Sequence, residues 1–396
     1  MNRTSRSKTR IALIRMPWDT VLNPSPAMGF LSTPLRENGY EVKVVYANYR
    51  LAKMVGLGRY EFIGSGVGWQ MIPEWFFSKA AFPESFKKDS SAELLESWRE
   101  TYTRDYIDSR EGMDVESLAR IREETAVEFC EELAEECKCF EAIGITCTIN
   151  QLVATLAVTR AIRRKNPNVC ITLGGAQVEG DMGDAVLELA PWIDAVYKGE
   201  GEPGVVGTFD WMTGLAEEPP EWVSYRKSDG SIHVAQKGCM VQDMDSLPIP
   251  DYSDYFNSLR GWRKSGLNVT PFAIPFVSAR GCWWGEVQHC TFCGLNGEGM
   301  VFRKKSAKRI LDEWQELTTR YHHLALVGVD NIIPHEYLKD VLPRVKESGV
   351  DYELYYETKS NLKRTDMEMY QQAGIRKVQP GVESLKRYNR KLWMVI

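Results

Sequence analysis

Pro271-Phe-Ala-Ile-Pro-Phe-Val-Ser-Ala-Arg-Gly-Cys282-Trp-Trp-Gly-Glu-Val-Gln-His-Cys290-Thr-Phe-Cys293-Gly294 joins an apolar run to a loop carrying three thiols. The run Phe272–Ser278 predicts a strand, and it opens a series. Ser306–Tyr321 predicts a helix with Ile310, Trp314, Leu317 and Tyr321 on one face, and Leu324–Val329 a strand. His335–Lys346 predicts a helix bent at Pro343, followed by a strand at Tyr352–Glu357. Asp366–Ala373 predicts a helix closed by Gly374, and Ile375–Val378 a last strand. Four strand–helix units in succession predict part of a parallel barrel, where chemistry belongs at the carboxyl ends of the strands. The cysteine loop follows the first strand.

Cys282, Cys290 and Cys293 are the chemically suggestive cysteines of the nine in the sequence. A four-iron cluster normally takes four thiolates, so three leave one iron without a protein ligand and open to a small molecule. Two alternatives use the same thiols. A zinc site would recruit His289 or Cys239 as fourth ligand, and a closed four-cysteine cluster including Cys239 would be an electron carrier. Cys137 and Cys139, two apart, face different sides of a helix and do not easily chelate together. Cys130, Cys137 and Cys139 fall in the acidic helical stretch Val115–Cys139, and Cys147 and Cys170 sit in apolar strands as small hydrophobes. An odd count in a protein this long does not read as a disulfide framework.

Upstream, alternation begins with strand-like Ile11–Arg15, a helix at Phe30–Asn38 and strand-like Glu41–Ala47. It resumes as strand Ala142–Thr146, helix Gln151–Arg164, strand Val169–Leu173, helix Gly183–Leu189 and strand Ile193–Tyr197. This pattern predicts an α/β, doubly wound, Rossmann-like parallel sheet with ligands beyond the carboxyl ends of its strands. The loops after Arg15, Thr146, Leu173 and Tyr197 are the places to look. A mostly helical insertion at about 51–139 interrupts the series. Its Trp69, Trp75, Phe76, Phe77, Phe82 and Phe86 read as packing on the sheet, in a position to cap its ligand edge. Trp222–Gln236 predicts a hairpin turning at Ser228-Asp-Gly230, and Leu247-Pro-Ile-Pro-Asp-Tyr252 a stiff connector. The expected domains are 1–220, a hairpin and linker at 221–270, and 271–396. With 396 residues, 43% hydrophobic and 26% charged, the sequence has the composition of a soluble protein of two domains. A net charge of -5 argues against a broad nucleic-acid surface, and no apolar stretch has the length of a membrane span, so the expected home is the cytoplasm.

Arg280-Gly-Cys282 after a strand, the ending Cys290-Thr-Phe-Cys293 and the partial barrel beyond resemble the radical S-adenosylmethionine (SAM) enzymes. The first cysteine gap is wider here than the family's usual three residues. The resemblance implies a 4Fe–4S cluster on Cys282, Cys290 and Cys293, with the amino and carboxyl groups of SAM on the open iron and Phe292 near its adenine. Reduction of the cluster would cleave SAM to a 5′-deoxyadenosyl radical. Gly381-Val-Glu-Ser384 resembles the family's SAM-contacting segment, which implies roles for Gly381, Glu383 and Ser384. Asp330 with Asn331, and Glu357 with Lys359, end the next two strands and point toward the same mouth.

Gly144-Ile-Thr-Cys-Thr-Ile-Asn-Gln151, Leu173-Gly-Gly-Ala176 and Ile193-Asp-Ala-Val-Tyr-Lys-Gly-Glu-Gly-Glu202 resemble the cobalamin-binding domain that precedes many radical SAM modules. This implies a corrinoid lined by Thr146, Gln151, Gly174, Gly175, Gly199 and Glu200. The Asp-x-His-x-x-Gly motif of other cobalamin proteins is absent, so no histidine would ligate it from below. Met16-Pro-Trp18, the insertion, Gly281-Cys-Trp-Trp-Gly285 and Cys293-Gly-Leu-Asn-Gly-Glu-Gly-Met300 are most similar to radical SAM proteins that mature ribosomally made peptides. The implied reaction is C-methylation of an unactivated carbon in a precursor peptide, with an external electron donor of flavodoxin or ferredoxin type. A non-methylating radical rearrangement or cyclisation is the alternative. Leu385–Ile396 leaves room for one short element, so the barrel is expected to be incomplete and the sequence truncated at its carboxyl end. An inactive remnant that only binds cofactor or peptide is the third reading.

Overall fold

The computed structural model describes residues 5–66, 71–85, 93–94, 96–97, 115–266, 269–290, 292–294 and 300–382. Trp69, Phe86, Glu383, Ser384 and the stretch 295–299 lie outside the described residues. The protein divides into two compact units, one drawn from Met1–Val21, Leu31–Cys239 and Asn257–Val269, the other from Leu22–Phe30, Met240–Phe256 and Thr270–Ile396.

The first unit is built on a seven-stranded sheet of β1 (Arg10–Arg15), β2 (Glu41–Tyr46), β3 (Ala142–Thr146), β4 (Cys170–Gly174), β5 (Ala195–Tyr197), β6 (Val223–Arg226) and β7 (Ile232–His233). Its order is β2-β1-β3-β4-β5-β6-β7. The first five are parallel, as the alternation predicted, and β6 and β7 add an antiparallel edge. In β1, β3 and β5 nearly every residue is buried. Strands covered on both faces lose the inside–outside alternation, which is why they read as plain apolar runs. Strand order reverses between β1 and β3, the place where such sheets bind ligands. Register brings Arg15, Thr146 and Gly174 level at that carboxyl edge.

The hairpin forms where expected, with Asp229 Oδ1 accepting from Ser231 N at 2.9 Å. It pairs with β5 as part of the first sheet. The helix Pro26–Glu37 starts four residues before the predicted Phe30, because a proline at the first helical position lacks only an N–H that would be unbonded anyway.

The insertion supplies helices Ala47–Val55, Ile72–Ala81 and Val115–Cys137. Trp75, Phe76 and Phe77 are buried, and Phe77 meets Phe129 at 5.5 Å between centroids. They close on the loop after β1: Trp18 stacks on Tyr60 at 5.2 Å, meets Phe76 edge-on at 5.1 Å and donates Nε1 to the Pro73 carbonyl at 3.1 Å.

The second unit holds four parallel strands in the order β13-β12-β11-β8, formed by β8 (Ile274–Phe276), β11 (Ala325–Gly328), β12 (Glu353–Lys359) and β13 (Ile375–Gly381). This is the predicted partial barrel series. Helix Ala307–Tyr321 is capped by Ser306, whose Oγ accepts from Arg309 N, and it buries Ile310, Trp314 and Leu317 with Phe276, Leu326 and Tyr356. Lys305 and Glu313, both wholly buried, pair at 2.6 Å beside this core. The helix expected at His335–Lys346 is two, Tyr337–Asp340 and Leu342–Ser348, with Pro343 in the first turn of the second. A small antiparallel pair, β9 (Ala279–Arg280) with β10 (Arg303–Lys304), was not anticipated. Among the described residues no helix is long and apolar enough to cross a membrane.

Because Phe76 is wholly buried against the β1 loop, Phe76→Ala is expected to cost the first unit about 3–5 kcal/mol. Urea denaturation followed by circular dichroism checks this, and a loss near zero would show the insertion to be a detachable cap.

Candidate functional site

In the second unit, the backbone leaves β8 through Ser278, which is wholly buried. Ser278 N donates to Asp330 Oδ1 at 2.8 Å, its Oγ donates to Asp330 Oδ2, and Tyr356 OH donates to that Oγ at 3.1 Å. Lys305 N donates to the Ser278 carbonyl at 2.8 Å, and Tyr337 OH to the Lys305 carbonyl at 2.8 Å. Burial pushes the Asp330 carboxyl up to about 6, against the opposing hydrogen bonds from Ser278. Asp330 is therefore a buried anchor whose carboxylate is committed to Ser278, not a group presented at the strand mouth.

The anchored backbone runs into the β9–β10 pair and turns at Gly281, with φ +76°. A Cβ there would lie 2.2 Å from the Val301 carbonyl, so only glycine fits. Cys282 N donates to the Met300 carbonyl at 3.2 Å. Its Sγ accepts from Gly285 N at 3.3 Å, capping a one-turn helix, Trp283–Val287. That helix fills the wide gap between the first two cysteines. Gly285 faces Met300, whose Sδ occupies the space 2.4 Å from where a Cβ would stand. Cys293 N donates to the Cys290 carbonyl at 3.1 Å, bringing the last two cysteines into one turn.

The three cysteines form no disulfide and are half-exposed. Among the described residues no three His, Cys, Asp or Glu side chains converge closely enough to hold a metal ion, so the loop carries the donors without drawing them together. The donor chemistry still fits an iron–sulfur group better than a closed site. His289 is exposed, and Cys239 is buried against Gly199 and Tyr197.

Of the expected SAM contacts, Phe292 is exposed at 45%. Glu357 is half-buried on β12, with its carboxyl pushed up by burial. Gly381 ends β13 opposite Lys359. Sequence reading placed Lys359 at its strand end without a role. Its Nζ sits 3.2 Å from the Trp284 ring centroid, and burial pushes its ammonium down against the opposing effect of Cys282 and Cys290.

In the first unit, the carboxyl edge of the sheet is braced by amides. Gln151 is 1% exposed. Its Oε1 accepts from Thr148 N at 2.8 Å and its Nε2 donates to the Met16 carbonyl at 2.8 Å. Gln177 Oε1 accepts from Gln151 N and Leu152 N, each at 3.0 Å. Glu74, buried in the insertion, accepts from Val153 N at 2.9 Å, as suits a carboxylate at a helix start. Sequence reading missed Glu74 and Gln177; only the latter had a local signal, next to Gly174-Gly-Ala176. Gln151 thus ties together the loops after β1 and β3, and its polar atoms are spent on the protein.

The edge glycines divide into two kinds. Gly175 (φ +113°) and Gly199 (φ +84°) are forced, since a Cβ would lie 2.6 Å from the Cys147 carbonyl or 2.2 Å from that of Cys239. Gly174 is not, for its Cβ would meet only Tyr197, at 4.0 Å. Gly174 therefore stands uncrowded at the strand end, level with half-buried Thr146. Glu200 follows Gly199, its N–H donating to the Cys239 carbonyl at 2.8 Å.

No known family profile matches the sequence. It is 26% identical over 246 residues to an uncharacterized methyltransferase of Pyrococcus horikoshii, an alignment covering 58% of this protein and 51% of that one. It is 28% identical over 186 residues to an anaerobic magnesium-protoporphyrin IX monomethyl ester cyclase of Rubrivivax gelatinosus, covering 45% of this protein and 30% of the cyclase. The alignments thus span about half or less of the length of these curated relatives. The fold matches that of the radical S-adenosylmethionine methyltransferase TsrM from Kitasatospora setae, solved with cobalamin and a 4Fe–4S cluster bound. The TM-score is 0.58 at 13% identity, covering 99% of this protein and 63% of TsrM. The mixed α/β architecture, a Rossmann-like unit and a parallel-stranded unit, is the one the sequence predicted.

The Asp330 anchor makes stability depend on pH. Its folded value of about 6 exceeds the ordinary 3.8, so the folded protein holds this proton more tightly than the unfolded one does. Its contribution is greatest below 3.8 and is lost as pH rises through about 6. The slope reaches about 1.4 kcal/mol per pH unit. Asp330→Asn is expected to flatten that slope in urea-denaturation midpoints taken across this range; an unchanged slope assigns the titration to another group. In the first unit, Gln151→Leu strands the Met16 carbonyl and Thr148 N–H, and is expected to cost about 1–3 kcal/mol per stranded group, measured in the same way.

Proposed function

We propose that this protein is a cobalamin-dependent radical SAM methyltransferase or the corresponding part of one, acting on a ribosomally made precursor peptide by methylation of an unactivated carbon. One observation carries the reading. A loop of three thiols follows the first strand of a parallel four-stranded sheet, in a protein whose fold matches TsrM over nearly its whole length. The similarity to a curated methyltransferase supports the same class.

In this proposal Cys282, Cys290 and Cys293 hold the 4Fe–4S cluster, leaving one iron open to SAM. Phe292, Glu357 and Gly381 would contact SAM, joined by Glu383 and Ser384 on the strength of the sequence motif, and Asp330 acts indirectly by fixing the start of the cysteine loop. The first unit, which holds most of the expected domain 1–220 and continues beyond it, would take the corrinoid beside Gly174 and Thr146. Gly175, Gly199 and Glu200 would shape the neighbouring backbone, and Gln151 would keep the loops at their spacing. When bound, the cluster supplies the electron that cleaves SAM and the corrinoid carries the methyl group; an external flavodoxin- or ferredoxin-type donor would feed the cluster. The protein's own residues bind, orient and exclude water, as in other cofactor enzymes. The identity shared with the cyclase favours one second reading, a radical ring closure without methyl transfer.

Anaerobic purification, reconstitution with iron and sulfide, and incubation with SAM and a reductant are expected to yield 5′-deoxyadenosine. A corrinoid absorption band should co-purify with the protein. Stoichiometric zinc without iron would overturn the proposal, and SAM cleavage without bound corrinoid would select the non-methylating reading. Gly174→Leu is expected to lose most of the retained corrinoid while shifting the denaturation midpoint little, because nothing crowds that position. Gly175→Ala, at a positive φ and with no room, should instead lower the midpoint.

A further inference from the structure

Lys359 is the last residue of β12, at the carboxyl edge of the second sheet. Its Nζ lies 3.2 Å from the ring centroid of Trp284 and 5.5 Å from that of Trp283. The two indoles stand 6.3 Å apart at 82°, so they form two walls around the ammonium. Trp283 is itself fixed, donating Nε1 to the Ile333 carbonyl at 3.1 Å and meeting His335 at 5.1 Å. Both tryptophans belong to the one-turn helix between Cys282 and Cys290. Among the described residues Lys359 forms no ion pair with a carboxylate; burial pushes its ammonium down, Cys282 and Cys290 oppose that, and the ring it stacks on lies two residues from Cys282.

Lysine ammoniums are strongly hydrated and ordinarily stay in water or beside a carboxylate. Here the aromatic faces take the place of part of that water, an arrangement worth more as the cation is desolvated. A cation held this way beside thiols has its natural counter-charge in their ionised form. An iron–sulfur group on three thiolates carries net negative charge and gains another on reduction. A fixed positive charge nearby stabilises the reduced form more than the oxidised one, since Coulomb energy grows with the charge it acts on.

We infer that Lys359 is a positioning residue of the cysteine loop: held between Trp283 and Trp284, its ammonium offsets the charge of the ligating thiolates and raises the reduction potential of the iron–sulfur group bound there. This rests on the proposed reading of the loop as a cluster site. The role is electrostatic, so it belongs to the charge and not to the shape of the lysine alone.

The test uses the 396-residue protein, reconstituted anaerobically, as wild type, K359M, K359Q and K359R. Iron and sulfide content is measured first, then the midpoint potential by mediated redox titration followed by the electron paramagnetic resonance signal of the reduced cluster. The expected result is equal cluster content in all four, a midpoint shifted to more negative values in K359M and K359Q, and K359R within error of wild type. Two neutral variants guard against one of them misfolding. Equal potentials in wild type and both neutral variants at equal cluster content would overturn the inference and leave the cluster reading standing. A wild-type protein that binds no iron would overturn both.

Discussion

A single buried carboxylate sets the geometry on which the second unit's chemistry depends. Asp330 sits at the end of one strand and takes both polar groups of Ser278, the residue where the neighbouring strand gives way to the cysteine loop. Burying an acid is unfavourable, and its raised protonation equilibrium records a cost that the hydrogen bonds from Ser278 and the charge of Lys305 only partly offset. What it secures is direction. With Ser278 fixed, the Ala279–Arg280 pairing and the turn at Gly281 follow, and Cys282 emerges at a defined point. Tyr356 and Tyr337 complete the network from two other elements.

The first unit solves a similar problem with neutral groups. Loops after different strands must stay at a constant spacing if a broad ligand is to lie across them. Gln151 spans two of them with one amide, while Gln177 joins it from a third. Glu74 brings the insertion into the same arrangement by capping the helix that starts there. The insertion therefore does more than cover the sheet, since it supplies a partner for backbone groups at the sheet's working edge.

The alternation of strands and helices was legible because parallel strands buried on both faces read as short apolar runs, and the helices between them kept a 3.6-residue period. The cysteine loop was legible from its residue types alone. What escaped was of two kinds. The pair β9–β10 has only two residues in each strand, too few to carry a period. Glu74, Lys359 and the Asp330–Ser278 anchor depend on partners far away in the sequence, and nothing adjacent marks them. The glycines at the first sheet's edge were noticed as a group, but only packing separates Gly175 and Gly199, which crowding requires, from Gly174, which it does not.

The seat of Met300 against Gly285 has a chemical consequence of its own. A thioether is readily oxidised to a sulfoxide, which adds a polar oxygen to an apolar group. At this contact a methyl group on the facing residue would force the thioether to shift. The carbonyl of the same methionine accepts the Cys282 N–H. A peroxide that oxidised this thioether would therefore press on the segment that holds the first cysteine, and a methionine sulfoxide reductase, not added iron and sulfide, would be needed to reverse it.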